Sequence, residues 1–265
     1  QPTRNRTGSL MISLWIRNLA YWLLMALVTP PLFIVMLLTA PIPGALHALA
    51  TRWALMLMWL LENIVGLKYR VEGAENIPQG PAVICCKHQS GWETLATQKI
   101  FPPQVFVAKR ELFRIPFFGW GLKLAGTIGI DRRNPGKASA QIIEQGSKRK
   151  AQGYWITIFP EGTRMPPGSK GRYKSGAART AQLLEMDIVP VALNSGEFWP
   201  KNSFLKHPGE ISVIICPPIK HDSGSITELT AAIEETIESQ MPRITGRGPC
   251  YGSAKPGSEQ KGSAA

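Results

Sequence analysis

Residues 19–40, LAYWLLMALVTPPLFIVMLLTA, contain no charged side chain, and no other feature restricts the possible folds of this chain as strongly. The run is close to the ~20 residues a helix needs to cross a hydrocarbon core. Pro30 and Pro31 fall near its middle, where proline removes a ladder hydrogen bond and kinks a helix or turns it back. After the turn-like PIPG of residues 41–44 comes a second apolar stretch, residues 45–66, which carries Arg52 and Glu62 and sets Leu49, Trp53, Leu57, Leu60 and Ile64 at helical spacing. That is the pattern of an amphipathic, interfacial helix. Arg4, Arg6 and Arg17 precede the pair, and Lys68 and Arg70 follow it. The positive-inside bias therefore places both ends on the cytoplasmic side. The expectation is an N-terminal two-helix membrane-anchoring motif over residues 1–66, at the inner (cytoplasmic) membrane, with the following domain facing the cytoplasm.

Beyond Gly66 the texture changes. Short β-like runs begin at Lys68, Ala82, Gln104, Gly126, Trp155, Ile188 and Ile211. Helical patterns over residues 91–100, 137–152, 175–185 and 225–239 lie between and after them. Strands alternating with helices predict an α/β fold class, a mixed central sheet covered by helices, over residues 67–242. From Arg243 to Ala265 the chain is rich in Gly, Ser, Pro and Lys and poor in apolar residues, so a disordered, non-catalytic tail is expected there. Cys85, Cys86, Cys216 and Cys250 show no CxxC spacing. A bridge between the adjacent pair would be strained, which points to a reduced domain with no metal knot.

The formal net charge of +12 selects anionic partners: anionic lipid, phosphorylated substrates or nucleic acid. Nucleic acid fits least, because the aromatic residues lie in apolar runs rather than among the cations.

Four stretches carry chemistry. In CKHQSGWETLA, residues 86–96, Ser90 and Glu93 have the spacing of a capping box at a helix start. On one continuous helix His88 and Glu93 would point ~140° apart and could not touch. With a strand ending at Cys86 and a helix starting at Ser90, His88 falls in the connecting turn. A first-turn carboxylate can then fold back onto its ring, fix the tautomer and leave the other nitrogen to take a proton. The second stretch, WITIFPEGTR at 155–164, puts Glu161, Gly162, Thr163 and Arg164 at the carboxyl end of a strand, where ligands collect in α/β sheets. Arg164 there can hold a phosphate bidentately. The third, SKGRYKSGAARTA from Ser169, brings Lys170, Arg172 and Lys174 to the approach of a helix, a setting for phosphate or for a solvated basic surface. In the fourth, residues 108–133, bulky apolar groups alternate with Lys109, Arg110, Arg114 and Lys123 and lead to Asp131, Arg132 and Arg133. Against a bilayer this would be a docking surface; core packing accounts for Phe113, Phe117 and Phe118 equally well.

In order, these blocks resemble the 1-acylglycerol-3-phosphate acyltransferases of the glycerolipid acyltransferase superfamily. The first family motif, N-H-x-S-x-x-D, is matched by Lys87-His88-Gln89-Ser90-Gly91-Trp92-Glu93. The second is matched by GTIGIDR at 126–132, with AKREL and IPFFGW upstream. The third, F-P-E-G-T-R, is reproduced by Phe159 to Arg164, and the fourth by IVPVAL at 188–193. Two positions depart from the pattern: Lys87 stands for asparagine, and Glu93 for an aspartate one methylene shorter.

The resemblance implies transfer of a fatty acyl group from acyl-CoA or acyl carrier protein to the sn-2 hydroxyl of lysophosphatidic acid, with no metal and no cofactor beyond that co-substrate. It implies His88 as general base and Glu93 as its orienting acid. Arg132 and Arg164 would hold the acceptor phosphate, Glu161 and Gly162 would shape the turn around the glycerol, and Lys109, Thr163 and Lys174 would complete the substrate-binding set. Rival expectations are an acyltransferase for glycerol 3-phosphate or another lysophospholipid, and a non-catalytic membrane module for anionic lipid. A serine hydrolase would need G-x-S-x-G, which the chain lacks.

Overall fold

A computed structural model of the chain describes residues 3–42, 44–115, 118–131 and 133–252. Two N-terminal helices, α1 (Thr3–Leu38) and α2 (Ala45–Leu60, extended by a π turn over Leu61–Val65), precede the α/β part. The strands are β1 (Leu67–Glu72), β2 (Val83–Cys86), β3 (Gln104–Lys109), β4 (Ile128–Ile130), β5 (Trp155–Ile158), β6 (Ile188–Leu193) and β7 (Gly209–Ile215). They form one sheet in the order β1-β7-β6-β2-β5-β3-β4. Neighbours are parallel from β6 through β4, only the β6–β7 pair is antiparallel, and β1 again runs parallel to β7. All seven runs expected from the sequence are strands, and the sheet is mixed as expected.

The central strands β6, β2 and β5 are apolar but for Thr157 because both faces are covered. On β2, Ile84 and Cys86 face one core together with Leu57, Leu61, Trp92, Val191 and Val213. Val83 and Cys85 face the other, with Ile156, Ala177, Ala181, Ile233 and Ile237. The first core lies under α2 and α3 (Trp92–Ile100). The second lies under α7 (Gly176–Leu184) and α8 (Ile226–Ile244). Helices α4 (Phe118–Leu124), α5 (Pro135–Gln141) and α6 (Ser147–Ala151) fill the connections around β4 and β5.

The N-terminal helices differ from the expectation in two ways. Helix α1 runs without a break through Pro30 and Pro31 to Leu38. The pair also packs into the same core as the sheet, through Tyr21, Ala54, Leu57, Met58 and Leu61, so no gap in packing separates the helical pair from the α/β part. Polar contacts reinforce the junction. Buried Asn18 accepts from the Lys206 N–H at 2.8 Å and donates to the Lys206 carbonyl at 2.9 Å. Fully buried Lys206 places its ammonium 3.8 Å from the Trp22 ring centroid, 4.5 Å from Trp199 and 4.6 Å from Tyr21. Burial lowers its amine to about 7, while the ring faces favour the charged form. Lys206→Ala empties this cage, and the expected result is a loss of about 2–5 kcal/mol, the size of large-to-small core changes, measurable as a lower thermal midpoint. The opposite side of α1 exposes Ile12, Ile16, Leu19, Leu23 and Leu27, spaced along one helical face. Residues 8–38 and 45–65 are each long and apolar enough to cross a membrane.

The expected disordered tail from residue 243 does not hold for residues 243–252. Helix α8 continues to Ile244, and the amides of Gly246, Arg247 and Gly248 donate to the buried carboxylate of Glu197 at 2.7–2.8 Å. An apolar-poor segment can be held by its own backbone groups, which any sequence supplies. Residues 253–265 lie outside the described residues.

Candidate active site

Strands β2, β5, β3 and β4 run parallel, so the segments after Cys86, Ile158, Lys109 and Ile130 all emerge at one edge of the sheet. After β2 the chain turns through residues 87–91 into α3. His88 lies in that turn, and its Nδ1 is 2.9 Å from Glu93 Oε1. The same oxygen accepts the N–H groups of Gln89 at 2.6 Å and Ser90 at 2.7 Å, while Oε2 accepts the hydroxyls of Ser90 at 3.1 Å and Ser195 at 2.8 Å. Burial by itself would raise the Glu93 carboxyl, but the donors, led by His88, outweigh it and hold the group below its ordinary range. Glu93 is therefore a buried carboxylate, and hydrogen bonding it fixes Nδ1 of His88 as the protonated nitrogen. The Nε2 atom has no hydrogen-bond partner among the described residues. The ring stacks on Phe159 at 3.9 Å and 14°, which fixes its plane.

Half of the expected capping box is present. The Ser90 N–H donates to Glu93, but the Ser90 hydroxyl accepts from Trp92 N at 2.8 Å, and the helix begins at Trp92 with Gly91 as its cap residue. The carboxylate serves ring and backbone at once.

The Phe159–Arg164 segment closes over this turn. The Met165 N–H donates to the His88 carbonyl at 2.8 Å, and Gly162 takes the positive φ of 70° that its tight turn requires. Arg164 forms no ion pair among the described residues, and a Cβ placed on Gly91 would stand 3.9 Å from its guanidinium. That puts an unengaged fork beside the histidine turn, suited to an anion. Thr163 accepts from Lys201 Nζ at 3.3 Å. Lys109 is exposed at the end of β3; Lys174 is exposed, and its N–H donates to the Pro160 carbonyl. Arg132 lies outside the described residues.

Glu161, expected with Gly162 to shape the turn around the glycerol, turns its carboxylate into the protein. Its side chain is fully buried, with Oε1 on Lys87 Nζ at 3.0 Å and on the Gly171 N–H at 3.1 Å, and Oε2 on the His88 N–H at 3.1 Å. Its carboxylate holds the backbone beneath the histidine. Lys87, the departure from the family motif, is the buried counter-ion. Its ammonium also meets Glu238 Oε1 of α8 at 2.7 Å, and the Tyr173 hydroxyl donates to that oxygen at 2.7 Å. The sequence reading missed Ser195 and Glu238, which are remote from the histidine and in no motif, and Tyr173, which lies among the cations of the third stretch but carries no charge.

The sequence matches the family model described as Acyltransferase over residues 68–194. It is 41% identical over 197 residues to 1-acyl-sn-glycerol-3-phosphate acyltransferase of Pseudomonas aeruginosa, covering 73% of this chain and 76% of that one. This chain belongs to the acyltransferase family. Membership extends to distant members: identity to the human 1-acyl-sn-glycerol-3-phosphate acyltransferase alpha is 29% over 184 residues, 68% of this chain and 65% of the human one. The fold is similar to the crystal structure of the 1-acyl-sn-glycerophosphate (LPA) acyltransferase PlsC from Thermotoga maritima, with a TM-score of 0.71 at 20% identity over 88% of this chain and 96% of that one. As an acyltransferase, the protein carries the histidine–carboxylate pair inside the matched segment.

Proposed function

We propose that this acyltransferase moves a fatty acyl group from a thioester, acyl-CoA or acyl carrier protein, to the sn-2 hydroxyl of lysophosphatidic acid, giving phosphatidic acid, and that His88 and Glu93 carry the step. The observation that supports it is the His88 ring, bonded through Nδ1 to a buried carboxylate, stacked on Phe159 and left with Nε2 unpartnered among the described residues, in a turn that has Arg164 beside its Gly91. Nε2 takes the hydroxyl proton as the acceptor oxygen attacks the thioester carbon. The C–S bond then breaks, and the imidazolium returns the proton to the leaving thiolate. Glu93 steadies the imidazolium between the two events, a contribution of ~10²–10⁴-fold for such catalysis. The thioester is already activated, so the step needs no enzyme nucleophile and no metal or cofactor.

Arg164, with Arg132 and the exposed Lys109 and Lys174, supplies the positive field for the acceptor phosphate and an anionic donor. Gly162 and Thr163 shape the turn between them. The apolar face of α1 and the second apolar helix hold the protein at the cytoplasmic membrane among anionic lipids, with the sheet on the cytoplasmic side, so the acceptor arrives from the bilayer.

The test is purified full-length protein in lipid vesicles given labelled lysophosphatidic acid with each donor, beside glycerol 3-phosphate and other lysophospholipids. Labelled phosphatidic acid is the expected product. A preference for another acceptor, or no transfer from either donor, overturns the assignment.

Glu93 variants test the pair. Gln at 93 would turn an amide –NH2 toward donors that need acceptors, so Glu93→Gln is expected to lose activity by about 10²-fold or more and to lower stability. Glu93→Asp keeps the charge but is ~1.5 Å shorter than the span set by the Glu93 donors, and should lie between wild type and Gln. Initial rates of the three proteins check the order.

A further inference from the structure

We infer that Ser195 and Glu197 are positioning residues for the catalytic acid, and that residues 244–250 are a strap whose seating on Glu197 holds the Ser195 hydroxyl on Glu93. The inference rests on the proposed His88–Glu93 pair. It starts from a carboxylate that the proposed chemistry does not use. Glu197 is fully buried, and no cation pairs with it among the described residues. Instead three consecutive amides, those of Gly246, Arg247 and Gly248, converge on its two oxygens, and its own carbonyl accepts the Cys250 N–H at 2.9 Å. Successive backbone N–H groups that form a concavity bind an anion in this way.

The turn that carries Glu197 is the one that reaches Glu93. Buried Asn194 donates to the Ile244 carbonyl at 2.8 Å and accepts the Ser212 N–H at 2.8 Å, which joins the end of α8, the turn and β7. Gly196 N donates to Gln89 Oε1 at 3.1 Å, and Ser195 Oγ donates to Glu93 Oε2 at 2.8 Å. A continuous run of short hydrogen bonds therefore leads from residues 244–250 through 194–197 to the carboxylate that orients His88. The ionisable groups facing Glu93 are His88 beside it and Cys86 at the end of β2, with Lys87 and Glu161 beneath the His88 backbone.

Gly248 gives a way to unseat the strap from a distance. A Cβ there would stand 2.5 Å from the Glu197 Cβ and 2.7 Å from its carbonyl oxygen, so Gly248→Ala pushes the strap off without touching Ser195 or the site. The experiment is steady-state kinetics with a pH–rate profile for full-length Ser195→Ala, Gly248→Ala and His88→Ala in vesicles, with thermal midpoints. Ser195→Ala and Gly248→Ala are each expected to lower kcat about tenfold, the effect of one lost hydrogen bond to a charged group, with KM for both substrates unchanged. Removing a donor from Glu93 makes the histidine–carboxylate pair take up a proton more readily, so the acid limb of both profiles should move to higher pH. Wild-type kcat and acid limb in Ser195→Ala, or a change in KM alone, overturns the inference. So does a loss of kcat with an unshifted acid limb. If Gly248→Ala does not fold, Ser195→Ala, which removes one oxygen, decides. An active His88→Ala would instead sink the catalytic reading itself, whereas an inactive His88→Ala beside an unchanged Ser195→Ala removes the positioning role of Ser195 and its strap and leaves the His88–Glu93 reading standing.

Discussion

His88→Ala is expected to abolish acyl transfer, lowering kcat by ~10²–10⁴-fold, while the protein still folds and binds membranes. Both expectations come from the site. The ring is held from two sides, by Glu93 at 2.9 Å and by Phe159 at 3.9 Å, so alanine removes the proposed base and leaves no substitute nitrogen: His47, His207 and His221 belong to other elements, with His221 paired to Asp187 and His47 packed on Tyr154. The anchoring surface on α1 and the Asn18 and Lys206 contacts do not involve His88. Transfer and vesicle co-sedimentation measured on the same preparation check the two expectations together. Retained transfer would show that the base is another group, and lost binding would show that the histidine turn supports the anchor.

The second large effect concerns stability. Lys87→Met is expected to destabilise the protein by roughly 3–5 kcal/mol, because it leaves two carboxylates, Glu161 and Glu238, around a site with no ammonium. Lys87 is 1% exposed at its side chain and Glu161 0%, so water cannot take the place of the lost partner. Glu238 is 20% exposed and can turn outward, which makes Glu238→Gln the milder change. In the double variant one of the two orphaned charges is gone, so the losses should fall short of additivity by about 0.5–3 kcal/mol, the range for residues in contact. Denaturant midpoints of the two single variants and the double form the cycle. Additive losses would mean that Lys87 and Glu238 do not act together. The kinetic consequence runs through Glu161, whose other oxygen holds the His88 N–H at 3.1 Å.

These two predictions draw on different kinds of information. His88, Glu93 and Arg164 stand out in the sequence because they sit in short motifs whose geometry is local: five residues of a strand-to-helix turn suffice to bring Glu93 back to His88. The seven strands were legible for a similar reason, since fully buried strands in a mostly parallel sheet read as compact apolar runs. The S-x-x-E spacing marked the start of α3 within two residues, and it missed only that the Ser90 hydroxyl caps Trp92 rather than Glu93.

What the sequence could not show are pairings between distant residues. Lys87 meets Glu161 and Glu238 from 74 and 151 residues away, and Ser195 meets Glu93 across 102. No periodicity or motif carries such distances, so Lys87 read as a bare departure from asparagine and Glu161 as a residue that shapes a turn, with neither read as the other's partner. Residues 243–252 depart from the expected disorder because composition measures apolar burial, whereas residues 246–248 are fixed by backbone amides on one buried carboxylate. The sequence by itself therefore determined the α/β class, the apolar helices and the pairing of His88 with Glu93, all set by patterns a few residues long. Only the tertiary structure decided which charges are buried together and what holds the pair in place, because those depend on where the sheet brings remote segments into hydrogen-bond distance.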